Sequence, residues 1–297
     1  MTEDVFNVLI ENCKMIKIID LIHCSRIKKL ILFAKENKHF RELTIDGCQD
    51  LEEIRIDSPT LRSIFYHGNV VVVRVEQGMQ LYEAIFYFIT SKNYMQPTHL
   101  ESLVSDLSHV SILTTTHLLI EGLVVSPRDT KFRDTQYFFV NLKELHLFMD
   151  GAIFCNPYDI TMFLKKCPSL VKLYIDLNEY QLDLRMYWEM HQKHLLDNWI
   201  HKFSCLKDVV LRSFKFLPSK LELVKIILQR ATILESLVFL PPKTIGCNLL
   251  KRQDALKYEK LFGSWRASTR AIIKLDENYV ENTLHNPTYS KCWLDAR

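Results

Sequence analysis

One phrase recurs along this chain and limits what it can fold into. It runs apolar, two residues of any kind, apolar, one residue of any kind, apolar. The clearest copies are Leu142, Leu145, Leu147 and Leu170, Leu173, Ile175. Its inner alternation puts the apolar side chains on one face of an extended segment. Between the two copies lie a loop with Asn156-Pro157, a helix-like run to Lys166 and a break at Cys167-Pro168. Residues 142–177 therefore read as strand, loop, helix and next strand, which is one turn of a repeat solenoid.

Further copies start at Leu206 and Leu234, so the second-half spacings are 28, 36 and 28 residues. Each gap holds a helix candidate, at 159–166, 184–203 and 221–229. In the last, Leu221, Val224 and Leu228 recur at three- and four-residue steps. In the first half the phrase starts at Ile27, Phe40, Leu51, Leu61 and Val70, only 13, 11, 10 and 9 residues apart. No helix fits in such gaps. The reading is narrow coils with extended segments on both sides, or strands joined by tight turns at Asp46-Gly47, Ser58-Pro59 and His67-Gly68. A short helix is expected at 5–13, a strand at 81–90, an amphipathic helix at 99–109, a strand at 113–120 and a surface loop at 127–135. Residues 142–177 mark the passage from narrow to wide coils.

The expected fold class is α/β: a leucine-rich-repeat solenoid with a horseshoe-like parallel sheet, its coils short at the N-terminal end and helix-bearing at the C-terminal end. The solenoid spans 1–245. Residues 246–297, with a helix at 253–265 and a strand at 271–276, form a C-terminal cap, because an open solenoid otherwise exposes the apolar edge of its last coil.

Composition removes several function classes. With 48% hydrophobic and 25% charged residues in 297, a large core is available. A net charge of +3 does not imply a nucleic-acid partner. Only 7 glycines are present, too few to suggest a phosphate-cradling nucleotide fold. The eight cysteines form no C-x-x-C pair and read as small buried apolar residues. Neither a signal peptide nor a membrane-spanning run is visible, so cytoplasm or nucleus is expected.

No constellation signals chemistry. His191 and His194 share a helix face, with His201 further on, but no evident ligand set completes a metal site. Cys155 and Cys167 lack a catalytic motif, and Glu52 and Glu53 point to opposite sides of a strand. The expectation is no catalytic residue, no metal and no cofactor. What remains is the residue between the last two apolar places of each phrase, which faces away from the core. That row is Thr44, Arg55, Phe65, His146, Tyr174, Val210 and Val238. It mixes residue types enriched at protein interfaces. Its apolar end, Val210 and Val238, requires cover from the cap or from a partner.

Three stretches match something familiar: CQDLEEIRIDSPTLRSIFYHG (48–68), FVNLKELHLFMD with DITMFLKKCPSLVKLYIDL (139–177), and LKDVVLRSFKFLPSKLELVKIILQRATILESLVF (206–239). They resemble plant F-box/leucine-rich-repeat proteins. The last is similar to the FBD-type C-terminal region of that family, and KYEKLFGSWRAS (257–268) to its cereal members. The resemblance implies a target protein held on the concave strand face, as the substrate-binding part of a Skp1–cullin–F-box ubiquitin ligase subunit. It implies a Skp1-type adaptor as partner where an F-box is supplied. Here the phrases begin by Ile27, and residues 1–13 carry no F-box pattern. The second reading is a stand-alone repeat adaptor, decoy or truncated member without ligase association. Neither nucleic acid nor membrane is expected as a partner.

Overall fold

A computed structural model describes residues 3–76, 80–89, 97–125, 139–152, 155–178, 180, 190, 201–242 and 252–275. The first half is almost all strand: β1 (Ile18–Ile22), β2 (Lys29–Phe33), β3 (Glu42–Asp46), β4 (Glu53–Asp57), β5 (Ser63–Asn69), β6 (Val72–Val75) and β7 (Glu83–Ile89), behind helix α1 (Glu3–Asn12). The second half interleaves strands with helices. It runs α2 (Pro97–Asp106), β8 (Ile112–Thr116), α3 (His117–Ile120), a π-helical turn (Glu121–Val125), β9 (Glu144–Phe148), α4 (Pro157–Lys165) and β10 (Lys172–Asp176). It then continues through β11 (Asp208–Arg212), α5 (Pro218–Arg230), β12 (Ser236–Phe239), α6 (Arg252–Trp265) and β13 (Ile272–Leu275).

Two parallel sheets result. The long one has ten strands in the order β1-β3-β5-β7-β8-β9-β10-β11-β12-β13, and the short one is β2-β4-β6. Successive first-half phrases alternate between layers: those at Ile27, Leu51 and Val70 form the short sheet, while those at Phe40 and Leu61 form the long one. This settles the narrow coils as extended segments on both sides. Leu30, Leu32, Leu43, Ile45, Ile54, Ile56 and Ile64 meet in the gap at 0–1% exposure, which closes it without a helix. At the Asp46-Gly47 turn, Gly47 has φ +62°, and a Cβ there would fall 2.3 Å from the His23 ring. Only glycine fits that approach.

The layer opposite the long sheet is continuous. Helix α1 packs on β2, α2 on β6, the π-helical turn on α2, α4 on that turn, α5 on α4 and α6 on α5. Helices thus take over the outer layer at α2. The passage from narrow to wide coils lies between β7 and β8, before residues 142–177 rather than at them. One apolar cluster runs through the gap from Phe6 to Ala271, with Leu145 and Leu173 at 0% exposure. The segment β12–α6–β13 repeats the same plan, with β13 pairing in parallel on β12.

The expected strand 113–120 is shorter than its sequence implies. It stops at Thr116, and Leu119, Ile120 and Leu123 then place themselves in the core at helical spacing. Three- and four-residue spacing outweighs the β-branched run once the chain must turn into the outer layer. Helix α4 begins with a complete capping box. Asn156 Oδ1 accepts from the Tyr158 and Asp159 amides at 2.8 and 3.1 Å, and Asp159 Oδ2 accepts from the Asn156 amide at 3.0 Å. The expected helix 184–203 and loop 127–135 lie outside the described residues, apart from a few positions.

Candidate functional site

The register of the long sheet aligns one side chain per strand on the face turned away from the core. The line is Asp20, Thr44, Phe65, Ile85, Thr114, His146, Tyr174, Val210, Val238 and Lys274, each the direct partner of the next. Parallel strands stand ~4.8 Å apart, so the row is a continuous rib across the sheet. Of the residues expected there from sequence, Thr44, Phe65, His146, Tyr174, Val210 and Val238 lie in it.

Arg55 does not. It sits on β4 of the short sheet, opposite Ile31 and Arg74, with its guanidinium 3.6 Å from Glu53. The phrase starting at Leu51 belongs to the opposite layer, so its outward residue faces the opposite side of the molecule.

Four members of the row were missed, three of them for a visible reason. Asp20 belongs to a phrase at Ile16 (IKIIDL), which the sequence does contain. Ile85 and Thr114 belong to phrases at Leu81 (LYEAIF) and Val110 (VSILTT), disguised by Ala84 and Thr115 at core places. Both substitutes are fully buried in the structure. Lys274 comes from β13, whose phrase would start at Arg270, a charged residue.

The middle of the row is closely packed. Phe65, Ile85, Thr114, His146, Tyr174 and Val210 are all below 8% exposed, because neighbours in the row and on its flanks cover them. The His146 and Tyr174 rings stack at 4.2 Å and 8°. His146 Nε2 lies 2.8 Å from Glu144 Oε1. Burial lowers the His146 pKa despite the opposing pull of Glu144, and Arg212 and Lys172 lower it further. Burial alone would raise the Glu144 carboxyl, but His146 and Lys172 outweigh it and hold the pKa below its ordinary value. We read the pair as a neutral imidazole donating its Nε2–H to an ionised carboxylate. On the other flank, His67 meets Tyr87 edge-on at 5.3 Å and Tyr87 meets Phe148 at 5.4 Å. His67 Nδ1 is 2.6 Å from Asp46 Oδ1. The apolar end is covered by the chain itself: Tyr174, Val210 and Leu240 form a buried cluster with Val238 packed against it. Leu240 follows β12 directly, so neither the cap nor a partner is needed to cover Val210.

Burial pushes the Cys155 and Cys167 thiols far above their ordinary range, which leaves them as weak nucleophiles. Among the described residues, no group of three or more His, Cys, Asp or Glu side chains is arranged to hold a metal. His191 and His194 lie outside them; His201 is half-buried and edge-on to Phe203. No helix among the described residues is long and apolar enough to cross a membrane.

A long parallel sheet of short strands, a backing layer and a recurring apolar phrase define a leucine-rich-repeat solenoid. The domain family described as "At1g61320/AtMIF1, LRR domain" matches residues 1–275, and the chain belongs to that family. It is 29% identical over 250 residues, 82% of its length, to the putative FBD-associated F-box protein At1g61330 of Arabidopsis thaliana. It is likewise 29% identical over 241 residues, 79% of its length, to the FBD-associated F-box protein At1g61320 of the same plant. Those matches take up 56% and 52% of the relatives, so the chain spans about half the length of the curated relatives it matches.

Proposed function

We propose that this chain is a non-catalytic protein-recognition module, the substrate-binding part of an F-box-type (Skp1–cullin–F-box) ubiquitin ligase subunit. The observation that carries the reading is the unbroken rib on the open face of the long sheet, from Asp20 to Lys274, with its stacked His146–Tyr174 centre. These nearly buried, stacked rings hold the flanking side chains of the face in place, which preorganises it for a protein surface at little entropic cost. The F-box in the printed names of the two relatives supports the ligase context. Ubiquitin transfer belongs to other subunits in this scheme, and a Skp1-type adaptor joins through an F-box. Six unpaired cysteines among the described residues fit a reducing compartment, cytoplasm or nucleus.

A second reading is a repeat adaptor without ligase association. It draws on the same rib, because a face of this kind can recognise a protein whether or not an F-box is attached. The two readings part in one experiment. The chain fused behind a family F-box is expected to retain Skp1 and a target protein together. A Thr44→Trp variant, bulky and on the open face, is expected to lose the target and keep Skp1. A target still held by Thr44→Trp would contradict recognition by this face. A target that Skp1-loaded fusion cannot hold, while the unfused chain can, would favour the adaptor.

A further inference from the structure

The open face is not electrically even. On β1 to β9 it carries Asp20, Glu42, Asp46, Glu83 and Glu144 but no lysine or arginine, the first being Lys172 on β10. The chain as a whole is +3, so this acidic stretch is set against an excess of positive charge elsewhere. Two of the carboxylates are already matched: Asp46 by His67 at 2.6 Å, and Glu144 by His146 at 2.8 Å and Lys172 at 3.9 Å.

Glu83 is different. Its side chain is only 6% exposed, and among the described residues no hydrogen bond or ion pair reaches its carboxylate. Burial, with Glu144 and Glu42 nearby, pushes its carboxyl up to about 7. The nearby Arg41 does not compensate, because its guanidinium donates to the Phe40 and Thr60 carbonyls at 3.0 and 3.2 Å. A nearly buried carboxylate without a partner costs stability, and a cation from outside would offset that cost. Ile85 and Phe65, its neighbours on the same face, are themselves nearly buried and hold the Glu83 side chain in a low-dielectric setting.

Spacing then narrows the occupant. Glu42 and Glu83 stand opposite Ser63 from either side, two strands apart, which is ~10 Å. Three residues of a segment in the polyproline-II form, which is extended and has three residues per turn, span a similar ~9 Å and put their side chains on one face. We propose that the β3–β9 part of this face binds an extended basic segment of the target protein, seating one lysine or arginine on Glu83 and another, three residues away, over Glu42. This deepens the recognition reading above and rests on it.

The test uses the full chain and fluorescein-labelled peptides in an anisotropy titration. One peptide carries lysine at every third position between serines and prolines. A second has the same number of lysines at every fifth position, and a third has glutamate in place of lysine. The first is expected to bind most tightly, the second several-fold more weakly and the third not at all. Binding of the first should weaken severalfold as salt rises, since the carboxylates lie at a surface. Glu83→Gln, which keeps the side chain's shape, should weaken the first peptide about tenfold or more. Glu42→Gln, at a half-buried position, should weaken it less. Unchanged binding by Glu83→Gln, or equal binding of the glutamate peptide, would overturn the proposal. The recognition reading has its own readout: if Thr44→Trp loses the target while the lysine peptide fails to bind, only the basic-segment inference falls.

Discussion

Glu83 shows what a single residue can reveal about the face. Its carboxyl is raised from an ordinary 4.5 to about 7 by burial and by Glu144 and Glu42, so the fold favours its protonated form. The stability this contributes is fully present below about 4.5 and is lost as pH rises through about 7. Glu83→Gln should therefore stabilise the free protein at pH 8, by on the order of 1–3 kcal/mol, and the gap should narrow toward pH 5. Melting curves at the two pH values check this. A lower melting temperature for the variant at pH 8 would mean that the carboxylate has a native partner. Gained stability together with lost peptide binding is the signature of a group retained for function. The cysteines offer a second test at this scale. Cys13 is exposed, whereas Cys48, Cys155 and Cys167 are buried with raised thiol pKa values. Iodoacetamide followed by mass spectrometry should label Cys13 in the native protein and the other three only on unfolding.

Elements make the predictions about folding. Leu145 and Leu173 are direct partners in register and fully buried. Either one changed to Asp should abolish the cooperative melt, because an uncompensated charge would sit in a dry core. Asn156→Ala removes the cap of α4 and should cost about 1–2 kcal/mol. Thr115 is an instructive counter-case. It occupies a core place of its phrase at 0% exposure, and its hydroxyl lacks a partner among the described residues. Thr115→Val keeps the shape, restores the phrase and should raise stability by about 1 kcal/mol; an unchanged or lower melting temperature would show that the hydroxyl is satisfied. That residue also explains the limits of reading this chain from sequence. The phrases at Leu142, Leu170, Leu206 and Leu234 were legible because leucine-type residues fill their core places. Those at Leu81 and Val110 were obscured by Ala84 and Thr115. The turn of β8 into α3 was missed because a β-branched run and helical spacing overlap at Thr116-His117. For the site, the position within each phrase was readable, but the layer was not. Nothing within the Leu51 phrase reveals that it turns Arg55 to the opposite side. Only the 11- and 10-residue spacings on either side carry that information, by requiring alternate phrases to cross the coil.

The whole molecule is a stack in which each coil touches its neighbours, with a single apolar seam between two layers. Its ten-stranded sheet runs nearly the length of the described residues, so its open face presents one strand from every coil. That geometry suits an extended partner lying across many strands. It also makes the central claim testable by position. A photo-crosslinking amino acid placed singly at Thr44, Val238 or Arg55, in the full chain bound to its target, asks which face meets the partner. Thr44 and Val238 share the rib on the long sheet, whereas Arg55 lies on the short sheet. Recognition by the open face predicts target adducts at Thr44 and Val238 and none at Arg55. Adducts at Arg55 alone would contradict it.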